Sequence, residues 1–315
     1  AGGHARHPRP VTTDREAPLL WATTVLEGLG LEPTGQVDWP HLRRWSALAR
    51  IPTTGGPVWL KVVPPELRHE AALTALVAGR RPGAVVEVHG HEPDRGWLLM
   101  ADAGRSLREL VPEEGDLSRW RPALALYAGV QRDLVGDVDV MLAAGVPDLR
   151  GERLLTSYAA LVEELDLGAD ARAAVPEVGG LVEALADSGV PDSVQHDDLH
   201  DAQVFVGGTG RVRITDWGDA CVAHPFLSLA VTLDGVIGWG LDDVEGSEDV
   251  RPYQRSYLEV WAEHLGRTVA DLEEPARAAR LLGWACRVVN GHVPGDPEPT
   301  RTRAGMLVSG LRRAR

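Results

Sequence analysis

Lysine is nearly missing from this chain. Of its 32 basic residues, 31 are arginine and one is Lys61, and asparagine also occurs once, at Asn290. This bias suggests a GC-rich coding sequence in which arginine has replaced lysine wherever the chemistry allowed, so the remaining lysine calls for a reason. Cysteine is scarce too: Cys221 and Cys286 lie far apart, without metal-ligand spacing, and are expected to be reduced and buried. No run of 18 apolar residues exists, and the opening AGGHARHPRP lacks the apolar core of a signal peptide. The expectation is a soluble, cytoplasmic protein with a loose N-terminus. Positive charge is in deficit, 32 basic against 46 acidic side chains for a net charge of -14. That balance disfavours nucleic acid and anionic membranes and favours cationic or metal-bound partners, or else reflects a generally acidic proteome.

At 315 residues the chain fits one large domain or two smaller ones. Thr13-Asp14-Arg15-Glu16 has the form of a capping box opening a helix that Gly30 closes. Strand patterns follow at 47–51 and 58–63, around the turn Pro52-Thr53-Thr54-Gly55-Gly56, and again at 85–88 and 97–101. A helix started by Pro64-Pro65 and stopped by Gly79 lies between the two pairs. From Leu107 the pattern is mostly helical, over 119–144, 154–165, 181–186, 253–265, 275–289 and 301–311, with a strand-like exception at 190–216. The expected class is α+β: a small β-rich lobe at 1–103 and a larger helical lobe at 104–315, joined at Asp102-Ala103-Gly104.

Three short stretches carry chemistry. In PVWLKVVP, period-two alternation places Lys61 on one strand face between Trp59 and Val63, so its ammonium needs an anion. The next helix offers one, because Leu67, Glu70, Leu73 and Val77 share a stripe that puts Glu70 among apolar neighbours. A buried salt bridge without function is the alternative. In QHDDLHDAQVF, His196 and His200 have the spacing of a helical zinc pair, but the flanking residues have strand character. The other reading is a loop that presents one carboxylate to a reacting hydroxyl. In RITDWGDA, an apolar strand ends at Asp216 before Trp217-Gly218, where a carboxylate is placed either to bind a divalent metal or to cap a turn.

Lysine on a strand, glutamate on the next helix, H-x-D with an amide residue five positions after the Asp, and I-x-D-W-G together resemble the aminoglycoside phosphotransferase group of kinase-like enzymes. The resemblance runs from about Trp45 to Leu229. It implies a bilobal protein-kinase-like fold, a small antiparallel sheet lobe plus a larger helical lobe, with ATP or GTP as phosphoryl donor and Mg²⁺ as cofactor. Position by position, Asp198 matches the catalytic aspartate, Asp216 a metal-binding aspartate, Lys61 the lysine for the α- and β-phosphates and Glu70 its orienting partner. Asp197 takes the slot usually held by glycine and is expected to be a solvated neighbour; Asp201 is expected to be a loop residue and His196 a brace. The nucleotide base would meet backbone near Ala101 and Ala103, with Met100 behind it. Two features depart from the family pattern. Gln203 replaces the usual asparagine as second metal ligand, and RRWSALARI has no glycine-rich phosphate loop, leaving Ser46 and neighbouring backbone N–H groups as candidates. The acceptor would be a small molecule, with antibiotic inactivation the favoured biology (an aminoglycoside or nucleoside type). A metabolite kinase for a sugar or amino alcohol, or a silent nucleotide-binding protein, is the alternative. The acidic strip Asp242, Asp243, Glu245, Glu248 and Asp249 is either a receiver for a cationic acceptor or a solvated loop.

Overall fold

The computed structural model describes residues 15–315, so Thr13 and Asp14 of the expected capping box lie outside it. The described chain divides into two compact units, one of residues up to 104 plus 207–218, the other of 105–206 plus 219–315. The expected division was a single cut in the chain. Residues 207–218 instead return to the first unit, where the N–H of Ile214 donates to the Ala84 carbonyl at 2.8 Å.

The first unit is built on period-two alternation. Helix α1 (Glu16–Gly28) precedes strands β1 (Asp38–Leu42), β2 (Ala47–Thr53) and β3 (Gly56–Val62), helix α2 (His69–Arg80), and strands β4 (Val88–Glu92) and β5 (Trp97–Ala101). The strands form an antiparallel sheet in the order β1-β2-β3-β5-β4. Ala47, Ala49, Ile51, Val58, Leu60, Val62, Trp97 and Leu99 point to one face and are buried with Ala22 and Leu26 of α1. Burying side chains such as Leu60 and Leu99 stabilises the unit by about 1.5–3 kcal/mol each. The alternate positions, Leu48, Lys61 and Leu98, sit side by side on the other face. The β2–β3 turn closes where Gly56 adopts a φ of 106°, a conformation that glycine alone enters readily.

The strand patterns omit one strand of this unit and misplace another. β1 carries Pro40 and no alternating apolar pattern, yet it pairs with β2 at the edge of the sheet, where proline is tolerated. The strand expected at 85–88 instead runs over Val88–Glu92. Val85 and Val86 are buried outside a strand, because a short apolar run signals burial more reliably than strand.

In the second unit, β6 (Arg105–Ser106) leads into α3 (Leu107–Glu114), α4 (Trp120–Asp133), α5 (Val138–Ala143), α6 (Glu152–Glu164) and α7 (Ala169–Asp187). Short strands β7 (Ser193–Gln195) and β8 (Val204–Val206) bracket the acidic loop; β9 (Val212–Ile214) belongs to the first unit. Strand β10 (Cys221–Ala223) pairs with β7, and α8 (Arg251–Leu265), α9 (Ala270–Asn290) and α10 (Glu298–Ala314) complete the unit. The helix expected over 119–144 is interrupted by a tight turn at Val135–Asp137, which includes Gly136. α7 is far longer than the expected 181–186 despite Pro176. Its buried residues Ala171, Ala174, Val178, Val182 and Leu185 follow helical spacing, so packing overrides the proline penalty. Among the described residues, no helix is long and apolar enough to cross a membrane.

Candidate active site

In the first unit, the lone lysine has the anions its burial demands. Lys61 Nζ lies 2.6 Å from Glu70 Oε1 and 2.5 Å from Asp216 Oδ1. Lys61 and Glu70 are buried, whereas the Asp216 side chain keeps 44 % of its surface exposed. Burial alone would lower the ammonium pKa, but the carboxylates of Asp216 and Glu70 more than offset it and hold Lys61 above its ordinary value. The turn after β9 makes this approach possible. Asp216 has a φ of 65°. A Cβ on Gly218 would stand 3.2 Å from Glu70 Oε2, closer than most such contacts, so the turn packs tightly against Glu70. His69 Nε2 lies 2.9 Å from the Gly218 carbonyl, tying the start of α2 to the same turn.

The remaining nucleotide-side candidates are less open than their sequence suggests. Ser46 ends the β1–β2 turn and is buried, with Oγ 3.1 Å from His41 Nε2. Met100 pairs with Trp59 across the sheet. The Ala101 N–H is already bonded to the Glu87 carbonyl at 2.9 Å. Ala103 follows Asp102, whose carboxylate accepts from the Trp59 indole N–H at 2.8 Å and from the Gly104 N–H at 2.9 Å.

In the second unit, QHDDLHDAQVF forms a loop between β7 and β8. With no helix there, His196 and His200 share no helical face, and among the described residues no three His, Cys, Asp or Glu side chains form a metal-holding group. A buried polar network supports the loop. The Tyr127 hydroxyl accepts from the His196 backbone N–H at 2.8 Å, Gln131 Nε2 donates to the Val194 and Pro225 carbonyls, and Thr232 Oγ1 donates to the Leu199 carbonyl at 2.8 Å. Asp201 binds Arg108 at 2.7 Å and lies 3.5 Å from His200 Nδ1. Burial would raise the pKa of Asp201, but those hydrogen bonds prevail and lower it to about 2. Gln203 closes the loop with Nε2 3.3 Å from His200 Nε2.

Asp197 corrects the expectation of a solvated neighbour: it is 1 % exposed, with a φ of 66°. Its carboxylate meets Arg287 Nη1 at 3.3 Å and accepts from Asn290 Nδ2 at 3.2 Å. Burial raises its pKa to about 6 against the opposing pull of Arg287. Arg287 Nη1 also lies 2.8 Å from Asp219 Oδ2, and Nη2 lies 2.9 Å from Asp198 Oδ1. The Asp198 side chain remains 28 % exposed. It borders a cavity of about 700 Å³ shared with Val231, Trp239, Trp284, Arg303 and Met306. Sequence reasoning passed over Arg287, which is one arginine among 31; Asn290 at least announced itself as the only asparagine.

Comparison with known proteins decides the family. The model of the phosphotransferase enzyme family matches residues 46–267. The chain belongs to that family. No curated protein sequence matches it. Among solved structures, Plasmodium vivax ethanolamine kinase aligns at a TM-score of 0.62 and 11 % identity, covering 94 % of this chain and 88 % of that one. Choline kinase from Streptococcus pneumoniae gives 0.62 and 14 %, covering 95 % and 100 %. Aminoglycoside 2′-phosphotransferase-IIIa, solved with GDP, gives 0.58 and 14 %, covering 95 % and 100 %. At such identities the likeness is one of fold, and the fold is that of kinase-like phosphotransferases.

Proposed function

We propose that the protein moves the γ-phosphoryl group of ATP or GTP to a hydroxyl of a small molecule in the cytoplasm, with antibiotic inactivation the favoured outcome. The observation that carries this reading is the Lys61–Glu70–Asp216 cluster, in which a buried ammonium is held between one buried and one half-exposed carboxylate. A purely structural ion pair has no need of the third, exposed member.

On this reading the first unit is the nucleotide-binding lobe. Lys61 binds the α- and β-phosphates and Glu70 keeps it aimed. The base lies by Met100, with the Ala103 N–H and the Ala101 carbonyl as its backbone contacts. Backbone N–H groups of the Ser46 turn face phosphate. Asp216 in the first unit has a carboxylate and Gln203 in the second an amide oxygen, and each by itself is a hard donor of the kind Mg²⁺ takes. When bound, Mg²⁺ neutralises charge on the phosphates. The second unit is the catalytic and acceptor lobe, where Asp198 orients the acceptor hydroxyl and takes its proton.

The cavity beside Asp198 constrains the acceptor. Its 700 Å³ lies within the usual range of about 300–1,000 Å³ for drug-sized ligands and exceeds what a small amino alcohol needs. Its charges balance, with Asp198, Asp201 and Asp243 set against Arg108, Arg287 and Arg303, and the indoles of Trp239 and Trp284 supply apolar area. Most of the acidic strip is engaged elsewhere: Asp249 with Arg251, Glu245 with Arg313 and Glu248 with the Tyr253 hydroxyl. An antibiotic-sized acceptor with an apolar face and at most one positive charge fits better than a polycation. Asp243 beside the indoles favours one second reading, an amino-alcohol kinase that holds its cation against aromatic faces.

The test is phosphoryl transfer from labelled ATP and GTP, with Mg²⁺, to a panel of antibiotics, sugars and amino alcohols. Asp198→Asn should lower turnover by roughly 10²–10⁴-fold with little change in nucleotide affinity. No transfer to any acceptor by wild type, with nucleotide still bound, would leave a silent nucleotide-binding protein.

A further inference from the structure

Arg287 is 5 % exposed, and it faces three carboxylates at once. The division of its atoms is informative. Nη1 is taken by Asp197 and Asp219, while Nη2 is left for Asp198 Oδ1 at 2.9 Å. A guanidinium is planar and rigid, so fixing one corner fixes the direction of the other. Asn290, one helical turn further along α9, donates to both the Asp197 carboxylate and the Asp219 carbonyl. The anchor is therefore held from two positions of one helix.

Asp197 stands in a backbone conformation that favours glycine and buries a charge. Both are unfavourable by themselves, and both become intelligible if its carboxylate has a task. We infer that Arg287 is a positioning residue for Asp198 and that Asp197, with Asn290, is the anchor that aims it. The loop then sets the Asp198 carboxylate in one orientation before an acceptor enters, instead of leaving a half-exposed side chain to choose among rotamers. Thr232 completes the support by holding the Leu199 carbonyl on the other side of Asp198. The inference rests on the phosphotransferase reading, because it assigns Arg287 its value through Asp198.

The competing account is that Arg287 merely neutralises a buried Asp197. The double variant Asp197→Gly/Arg287→Met separates the two, since it removes the buried charge together with its partner. If neutralisation is all, this variant melts like wild type and turns over at the wild-type rate. If Arg287 positions Asp198, kcat falls by roughly tenfold to a hundredfold while KM for nucleotide stays within about twofold, the scale of loss expected when a reacting group is misplaced by about an ångström. Asp197→Gly alone removes the anchor but leaves Arg287 its contact with Asp219, so kcat should fall, by less than in the double variant. Arg287→Lys covers the case in which the double variant does not fold. It keeps a cation beside Asp197 but loses the fork, and should lower kcat at an unchanged melting temperature. Wild-type kcat in either folded variant overturns the assignment of Arg287. A wild-type protein that neither binds nucleotide nor transfers phosphoryl overturns the reading beneath it as well.

Discussion

Lys61, the only lysine in the chain, lies 2.6 Å from Glu70, nine residues away on the following helix, and the two are buried together. Neither is tolerable there alone, since an unpaired buried charge costs several kcal/mol. Asp216 joins them from a distant segment of the same unit, and its exposure distinguishes the cluster from an ordinary ion pair.

Lys61→Arg tests whether the ammonium itself is required. The charge is retained, but the wider planar guanidinium does not fit between Glu70 and Asp216 as a single point charge does. Turnover should fall at least about tenfold, and overpacking should destabilise the unit by about 1–3 kcal/mol. Steady-state kinetics and thermal melting measure both, and turnover equal to wild type would remove the case for Lys61.

Gln203 is one methylene longer than the asparagine expected in its place. Gln203→Asn should be tolerated, whereas Gln203→Leu removes the amide oxygen and should raise the Mg²⁺ concentration needed for half-maximal transfer. Titrating Mg²⁺ against rate in the three proteins checks this. Superimposable curves for wild type and Gln203→Leu would show that Gln203 is no ligand.

The buried Asp197 should leave a mark on stability. Its folded pKa of about 6 lies above the ordinary aspartate value, so the folded state binds the proton more tightly than the unfolded state does. The stability it contributes is full below about pH 4, declines as pH rises to about 6, and is constant above that, a change on the order of 3 kcal/mol. The groups that face it include Arg287, Asp219, Asn290, Asp198 and the Gln195 amide, which donates to its carboxylate at 3.3 Å. Denaturant unfolding of wild type and Asp197→Asn at intervals from pH 4 to pH 7 should show the difference between the two proteins changing through that window. A constant difference would show that Asp197 is not titrating there.

The sequence alone determined the antiparallel sheet, the pairing of Lys61 with Glu70, and the order of motifs that identifies the family. Each of these rests on short-range regularities. Alternation puts Lys61 on the face opposite the α1 core, and helical spacing brings Glu70 into the apolar stripe of α2. The edge strand β1 escaped because edge pairing tolerates Pro40, and the full length of α7 escaped because packing outweighs the local preference of Pro176.

Only the tertiary structure decided what surrounds the acidic loop. Asp197 looked like one more solvated carboxylate until α9 brought Arg287 and Asn290 to it from some ninety residues away. Cys221 and Cys286, distant in the sequence, are buried and free with their sulfurs 3.8 Å apart for the same reason. The cavity beside Asp198 draws its walls from several separate stretches of chain. No local pattern encodes such meetings, because a side chain's periodicity reports the face it lies on, and the partner it meets depends on how distant helices pack.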